Sequence, residues 1–203
     1  MKTYTLIAGV NGTGKSSMSG VLQTQRGDLG LIVDVDKIAV EHNCGAYAAG
    51  KLAVSRMREA LARGESFTQE TTLSGERTKR FAREAKEKGY FIRLFYIGLN
   101  SAEESVKRIE NRVAKGGHGI DRIDVSRRFA KRFEDLLKVL PYCDEAEFYN
   151  NENGFEIAGE YREGKIIRRN GSAPEWLTAL EKALTAPPQP PAPVGRDDPG
   201  TPP

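Results

Sequence analysis

The stretch Gly9-Val10-Asn11-Gly12-Thr13-Gly14-Lys15-Ser16 restricts this chain more than any other, because it meets the pattern G-x-x-x-x-G-K-[ST] at every fixed position. Tyr4-Thr5-Leu6-Ile7-Ala8 before it reads as a short buried strand. After it Met18, Val21, Leu22 and Gln25 recur at helical spacing until Gly27. Glycines let successive backbone N–H groups turn onto phosphate oxygens with no Cβ in the way. The following helix offers its free N–H groups and positive dipole end to the same anion. Lys15 is expected to reach the β- and γ-phosphates, and the Ser16 hydroxyl to ligate Mg²⁺. The nucleotide-binding set runs through Gly9, Val10, Asn11, Gly12, Thr13, Gly14, Lys15, Ser16 and Ser17, and the expected ligand is a nucleoside triphosphate.

The rest of the chain alternates strands and helices. Leu29 to Asp36 reads as a second strand, with Asp34 and Asp36 on one face and Val33 and Val35 on the other. Ala46 to Arg63 reads as a helix stopped by Gly64, Ser66 to Thr72 as a third strand, and Tyr90 to Ile97 as the strongest strand. Ser101 and Glu104 form a capping-box pair at the start of a helix that Gly116-Gly117-His118-Gly119 breaks. A second helix runs from about Arg122 to Leu140, and Glu147 to Asn150 reads as a short fifth strand. Phe155 to Glu160 and Lys165 to Arg169 read as a small hairpin, and Pro174 starts a last helix with Trp176 on its apolar face. The expectation is a three-layer α/β P-loop fold: a mostly parallel five-stranded sheet, a helical lid, and a small C-terminal hairpin and helix. It occupies residues 1–185 as one domain, with the lid at about 107–132. Eight of the ten prolines fall in 186–203, which reads as a disordered tail.

Composition excludes more than it assigns. A chain of 203 residues with net charge +3 is an ordinary globular length and balance. The charge is uneven, with nine basic residues against three acidic between Lys107 and Arg132. Such a local cluster fits phosphate chemistry better than a general polyanion surface. The absence of interleaved aromatics speaks against nucleic acid as a partner. Cys44 and Cys143 stand in no metal-binding spacing and read as reduced thiols. With no signal segment and no apolar run near the roughly 18–20 residues of a membrane span, the expected location is the cytoplasm, away from membranes.

Ligands of an open parallel sheet sit at the carboxyl ends of its strands. A phosphotransferase needs a metal, a group that positions or deprotonates the acceptor, and cations on the transferred phosphoryl. Asp36 is the candidate base, at the end of a strand expected beside the phosphate-loop strand, with a helix N-cap as its structural alternative. Asp34 either helps hold Mg²⁺ through water or faces solvent. Glu70 either touches the metal or acceptor or makes a strand-end salt bridge. Arg108, Arg112, Arg127, Arg128 and Arg132 flank the glycine-rich loop and read as a lid over the γ-phosphate, or as two solvated helix faces. His118 reads as a polar group of that lid rather than a metal ligand, and His42 as a surface residue.

Asp34-Val35-Asp36-Lys37-Ile38-Ala39, Glu70-Thr71-Thr72-Leu73-Ser74-Gly75, and Arg112-Val113-Ala114-Lys115-Gly116-Gly117-His118 with Arg127-Arg128 together resemble the zeta-toxin-like small P-loop kinases, and within them a compact branch. The resemblance spans about Thr3 to Asn151. It implies a P-loop kinase core using ATP and Mg²⁺ to phosphorylate the 3′-hydroxyl of the amino sugar in UDP-N-acetylglucosamine, with an antitoxin protein as partner. Carried over by motif, Lys15 and Ser16 are the phosphate-loop pair, and Asp36 is the catalytic aspartate. Glu70, Thr71 and Thr72 are a substrate-side segment, and Arg112, Arg127 and Arg128 are phosphate-binding arginines. Asp34 stands where the compact branch commonly has Asn, and Gly119-Ile120-Asp121 replaces a usual Asp-Val-Pro.

The expected site therefore has Asp36, Lys15, Arg112 and Arg128 as catalytic groups, and Asp36, Glu70, Thr71, Thr72, His118 and Arg127 on the acceptor side. Ser16 and Asp34 are at the metal. The expected activity is Mg·ATP-dependent transfer to a hydroxyl of a small acceptor, a nucleotide sugar by resemblance. The alternative is an ATP-binding or ATP-hydrolysing switch that acts through a protein partner.

Overall fold

The structure is a computed structural model and describes residues 1–117, 119–169 and 174–186. β1 (Thr3–Ala8) is buried at every position, and its apolar residues pack against helices on both faces of the sheet. It hands the chain through the glycine-rich loop to α1 (Lys15–Gln25). There follow β2 (Leu31–Val33), α2 (Val35–Glu41), α3 (Ala46–Arg63), β3 (Phe67–Thr71), α4 (Arg77–Glu87) and β4 (Phe91–Gly98). Then come α5 (Ala102–Ala114), α6 (Arg122–Val139), β5 (Glu145–Asn150), β6 (Glu156–Arg162), β7 (Lys165–Arg168) and α7 (Glu175–Thr185).

The strand order is β2-β3-β1-β4-β5-β6-β7, with the first five parallel and the last two antiparallel. The phosphate loop thus leaves the middle of the sheet, where β3 and β4 fix it from both sides. Among the described residues the sheet has seven strands rather than the expected five. The predicted hairpin forms, but it does not stand apart: β6 pairs with β5, Phe148 opposite Gly159 and Tyr149 opposite Ile157. Without it β5 would end the sheet as an unpaired edge.

Two expectations at β2 also fail. The strand stops at Val33, because the Asp34 carboxylate accepts the backbone N–H groups of Asp36 at 2.9 Å and Lys37 at 3.5 Å and so caps α2. Asp34 and Asp36 therefore do not share a strand face; Asp36 lies in the first helical turn. Nor is β2 beside β1. β3 takes that place, with Phe67 and Thr68 fully buried, while Leu31 on edge strand β2 is 42% exposed.

The largest apolar cluster joins β1, β3 and β4 to α3, α4, α6 and α7, with Tyr4 stacked on Phe67 at 4.5 Å between ring centroids. Trp176 is fully buried there, as expected, against Tyr96. No described helix is long and apolar enough to cross a membrane. The proline-rich stretch from 187 onward and His118 lie outside the described residues.

Candidate active site

The phosphate loop is shaped by steric necessity at its start. At Gly9, φ is 151° and a Cβ would stand 2.4 Å from the Ile97 carbonyl oxygen of β4, so only glycine passes. Beyond it three loop carbonyls are engaged by side chains. The Val10 oxygen accepts from Thr13 Oγ1 at 3.0 Å and Lys15 Nζ at 2.9 Å. The Asn11 oxygen accepts from Ser105 Oγ, and the Thr13 oxygen from Asn151 Nδ2 at 2.7 Å. Arg128 Nη1 donates to the Asn11 side-chain oxygen at 2.9 Å.

The loop lines a cleft of about 780 Å³, which Lys15, Ser16, Ser17, Asp34, Asp36, Glu70, Thr71, Thr72, Arg112 and Arg128 also line. The C-terminal ends of β1 and β3 and the short turn from β2 into α2 bring these groups together, as the strand-end rule requires. Glu70 is buried; its Oε2 accepts from Ser16 Oγ at 2.9 Å, while Oε1 is buried with no hydrogen-bond partner among the described residues within bonding geometry. Burial, and then the nearby Asp34 charge, push its carboxyl above the usual range. Burial lowers the Lys15 ammonium to about 8, against the pull of Glu70, Asp36 and Asp34 and with the help of Arg112. Asp36 is exposed on the cleft side of α2, and Asp34 is buried in its capping role.

The cleft is lined as well by Ala46 and Gly50 of α3 and by Thr72, Ser74 and Arg77 before and in α4. Thr72 Oγ1 donates to Ser74 Oγ at 3.1 Å, and Thr71 Oγ1 accepts the Leu73 N–H at 3.0 Å. Between them Leu73 is held at φ 62° although it is bulky and buried, a backbone strain located at the site.

The arginines divide. Arg112 and Arg128 line the cleft. Arg108 also reaches it, but its Nη2 donates to the Asn151 carbonyl at 2.6 Å and pairs with Glu104. Arg127 pairs with Asp124 at 2.6 Å on the exposed face of α6, away from the cleft wall, and Arg132 lies over the Phe129 and Phe133 rings at 3.8 and 4.1 Å. Those two expected lid cations are not brought to the site. Conversely, Ser105 and Asn151 touch the loop, and no motif marks them. Ser105 follows a capping serine, and Asn151 looks like a turn residue. Only the tertiary fold brings them there.

A sequence model of the family described as Zeta toxin matches residues 1–146. An uncharacterized protein of Haemophilus influenzae is 34% identical over 117 residues, covering 55% of this chain and 81% of its own. Among solved structures, one from the PezAT chromosomal toxin–antitoxin system of Streptococcus pneumoniae superposes with TM-score 0.61 at 18% identity, over 91% of this chain and 78% of that one. A structure of the AvrRxo1-ORF1:-ORF2 complex with ATP superposes with TM-score 0.66 at 16% identity, over 92% of this chain. The chain spans 65% of that neighbour's length. At such identities the likeness is one of fold.

Proposed function

This chain belongs to the zeta toxin family, and from that premise we propose that it is an ATP-dependent kinase that phosphorylates a hydroxyl of a small acceptor, a nucleotide sugar such as UDP-N-acetylglucosamine. The observation that carries this reading is a single cleft lined both by the phosphate loop and by hydroxyls, small residues and the Asp36 carboxylate. A hydrolase needs only room for water there.

Lys15, Arg112 and Arg128 bind the triphosphate and meet the charge that develops on the transferred group. Asp36, solvent-facing in the first turn of α2, takes the acceptor's proton. The acceptor oxygen bonds to the γ-phosphorus, the bond to the β–γ bridging oxygen breaks, and ADP leaves. Thr71 and Thr72 stand on the acceptor side. The site suits a hard cation. Glu70 Oε1 is buried beside the Ser16 hydroxyl with no partner among the described residues, and Asp34 is near enough to raise the Glu70 carboxyl further. Mg²⁺ commonly rests on one or two such oxygens plus the nucleotide's phosphates. When bound, it would neutralise charge on those phosphates. The reading includes the cytoplasm as location and an antitoxin-type protein as partner. The latter is supported by the toxin–antitoxin system to which the structural neighbour belongs.

Incubation with γ-labelled ATP and a panel of UDP-sugars, nucleosides and small metabolites, read by mass spectrometry, tests the activity. A labelled UDP-sugar is the expected product, lost in Asp36→Ala while ATP binding persists. ATP turnover with no labelled acceptor, and little changed by Asp36→Ala, would instead identify a nucleotide switch.

A further inference from the structure

Two carbonyls of the phosphate loop are held from its convex side by donors that lie far away in sequence. Ser105 Oγ donates to the Asn11 oxygen, and Asn151 Nδ2 donates to the Thr13 oxygen at 2.7 Å. The Val10 carbonyl is instead held within the loop, by Thr13 and Lys15. In a planar trans peptide the C=O and the next residue's N–H point in opposite directions. A carbonyl pinned outward therefore turns the following amide inward. By that geometry the Gly12 and Gly14 N–H groups face the concave side of the loop.

We propose that Ser105 and Asn151 are positioning residues that preorganise the phosphate-loop amides for the β- and γ-phosphates of a nucleotide. The inference rests on reading the cleft as a nucleotide site. Both donors are fixed before any ligand arrives. Ser105 is fully buried in the first turn of α5. Asn151 is anchored through its own carbonyl by Arg108 at 2.6 Å. The residues on either side of it are tied down as well: Asn100 donates to the Glu152 carboxylate, and Trp176 Nε1 donates to the Asn150 side chain at 3.1 Å. The glycines match the brackets. A Cβ on Gly12 would stand 2.7 Å from the Ser105 carbonyl oxygen, and one on Gly14 2.6 Å from Asn151 Nδ2. Gly12 and Gly14 thus serve the outer face of the loop as well as the inner one. Asn151 lies beyond the residues that the family model matches, so part of the loop's support comes from this chain's C-terminal portion.

The test uses the full chain with Ser105→Ala, Asn151→Ala and the isosteric Asn151→Asp. Titration calorimetry is run with Mg·ATP, Mg·ADP and AMP, and amide hydrogen exchange is followed at Gly12 and Gly14 without nucleotide. Each alanine variant is expected to bind ATP and ADP about tenfold more weakly, as loss of one orienting hydrogen bond implies, with AMP changed less than about twofold. Asn151→Asp should lose more, since it sets a carboxylate oxygen against a carbonyl. Exchange should quicken at Gly12 in Ser105→Ala and at Gly14 in the Asn151 variants. Wild-type ATP affinity with unchanged exchange would overturn the proposal. Equal losses for AMP and ATP that track the melting temperature would also overturn it, by reducing both residues to staples. If the wild-type chain binds no ATP, the functional reading fails, and the exchange rates alone decide the brackets.

Discussion

Lys15 carries a pH signature. Burial lowers its ammonium to about 8, so above that pH the free protein loses the cation that should meet the triphosphate. A bound phosphate would draw the proton back. Mg·ATP dissociation constants and kcat/KM should therefore worsen above pH 8 by up to about tenfold per pH unit, while kcat at saturation stays flatter. Lys15→Arg should abolish that limb whatever its absolute affinity, because guanidinium does not titrate there. For stability the sign is opposite. The folded chain holds this proton less tightly than the unfolded one, so Lys15 opposes folding below pH 8, and the penalty fades from 8 toward its ordinary 10.5. Glu70 makes the complementary case, a buried carboxylate with a raised pKa and one oxygen that has no partner among the described residues. Glu70→Gln should raise the nucleotide-free melting temperature by roughly 2–4 °C while cutting phosphoryl transfer by about 100-fold. Calorimetry and the labelled-ATP assay check the two halves separately, and a fall in both would sink the trade-off. Lys15, Ser16 and Glu70 were legible in sequence because motif spacing and strand ends mark them. The unpartnered oxygen was not, since it depends on which side chains surround it.

At the scale of elements, α5 and α6 form the cationic side of the cleft, but only part of each faces it. Arg128 reaches the Asn11 side chain, whereas its neighbour Arg127 is turned about a quarter of the way round the helix and pairs with Asp124. Arg128→Ala should lower kcat by about 10²–10³-fold, in the range lost when one transition-state cation is removed. Arg127→Ala should stay within about twofold, its exposed pair contributing little. Steady-state kinetics on both variants separates a lid that works through chosen residues from one that works through bulk charge. Helix periodicity made these helices readable, but it could not say which arc of α6 meets the loop. β2 and α2 went the other way: an apolar run ending in two aspartates reads as one strand, yet the cap made by Asp34 ends it early. A single side-chain-to-backbone hydrogen bond decided that boundary, and alternation carries no signal for it.

Across the whole molecule, the family match stops at residue 146, inside β5, while the sheet continues through β6 and β7 and is closed by α7. The added part is fused to the core rather than appended. Trp176 of α7 is buried against Tyr96 of β4, and its backbone N–H donates to the Asn100 side chain at 3.0 Å. A Cβ on Gly98 would stand 2.3 Å from the Trp176 ring, so β4 has been cleared for it. That contact lies at the C-terminal end of β4, one strand from the phosphate loop, and connects through Asn100 and Glu152 to the turn that holds Asn151. Trp176→Ala removes the largest fully buried side chain. It should cost about 3–5 kcal/mol and lower the melting temperature by roughly 10 °C. A chain ended after Asn150 would in addition leave β5 as an open edge and lose Asn151. It should show a broadened, weakly cooperative urea transition by circular dichroism, together with weak ATP binding. A truncated chain that unfolds sharply and binds ATP as the full chain does would mean that the family core is self-sufficient. The coupling of α7 to the loop would then be packing without function.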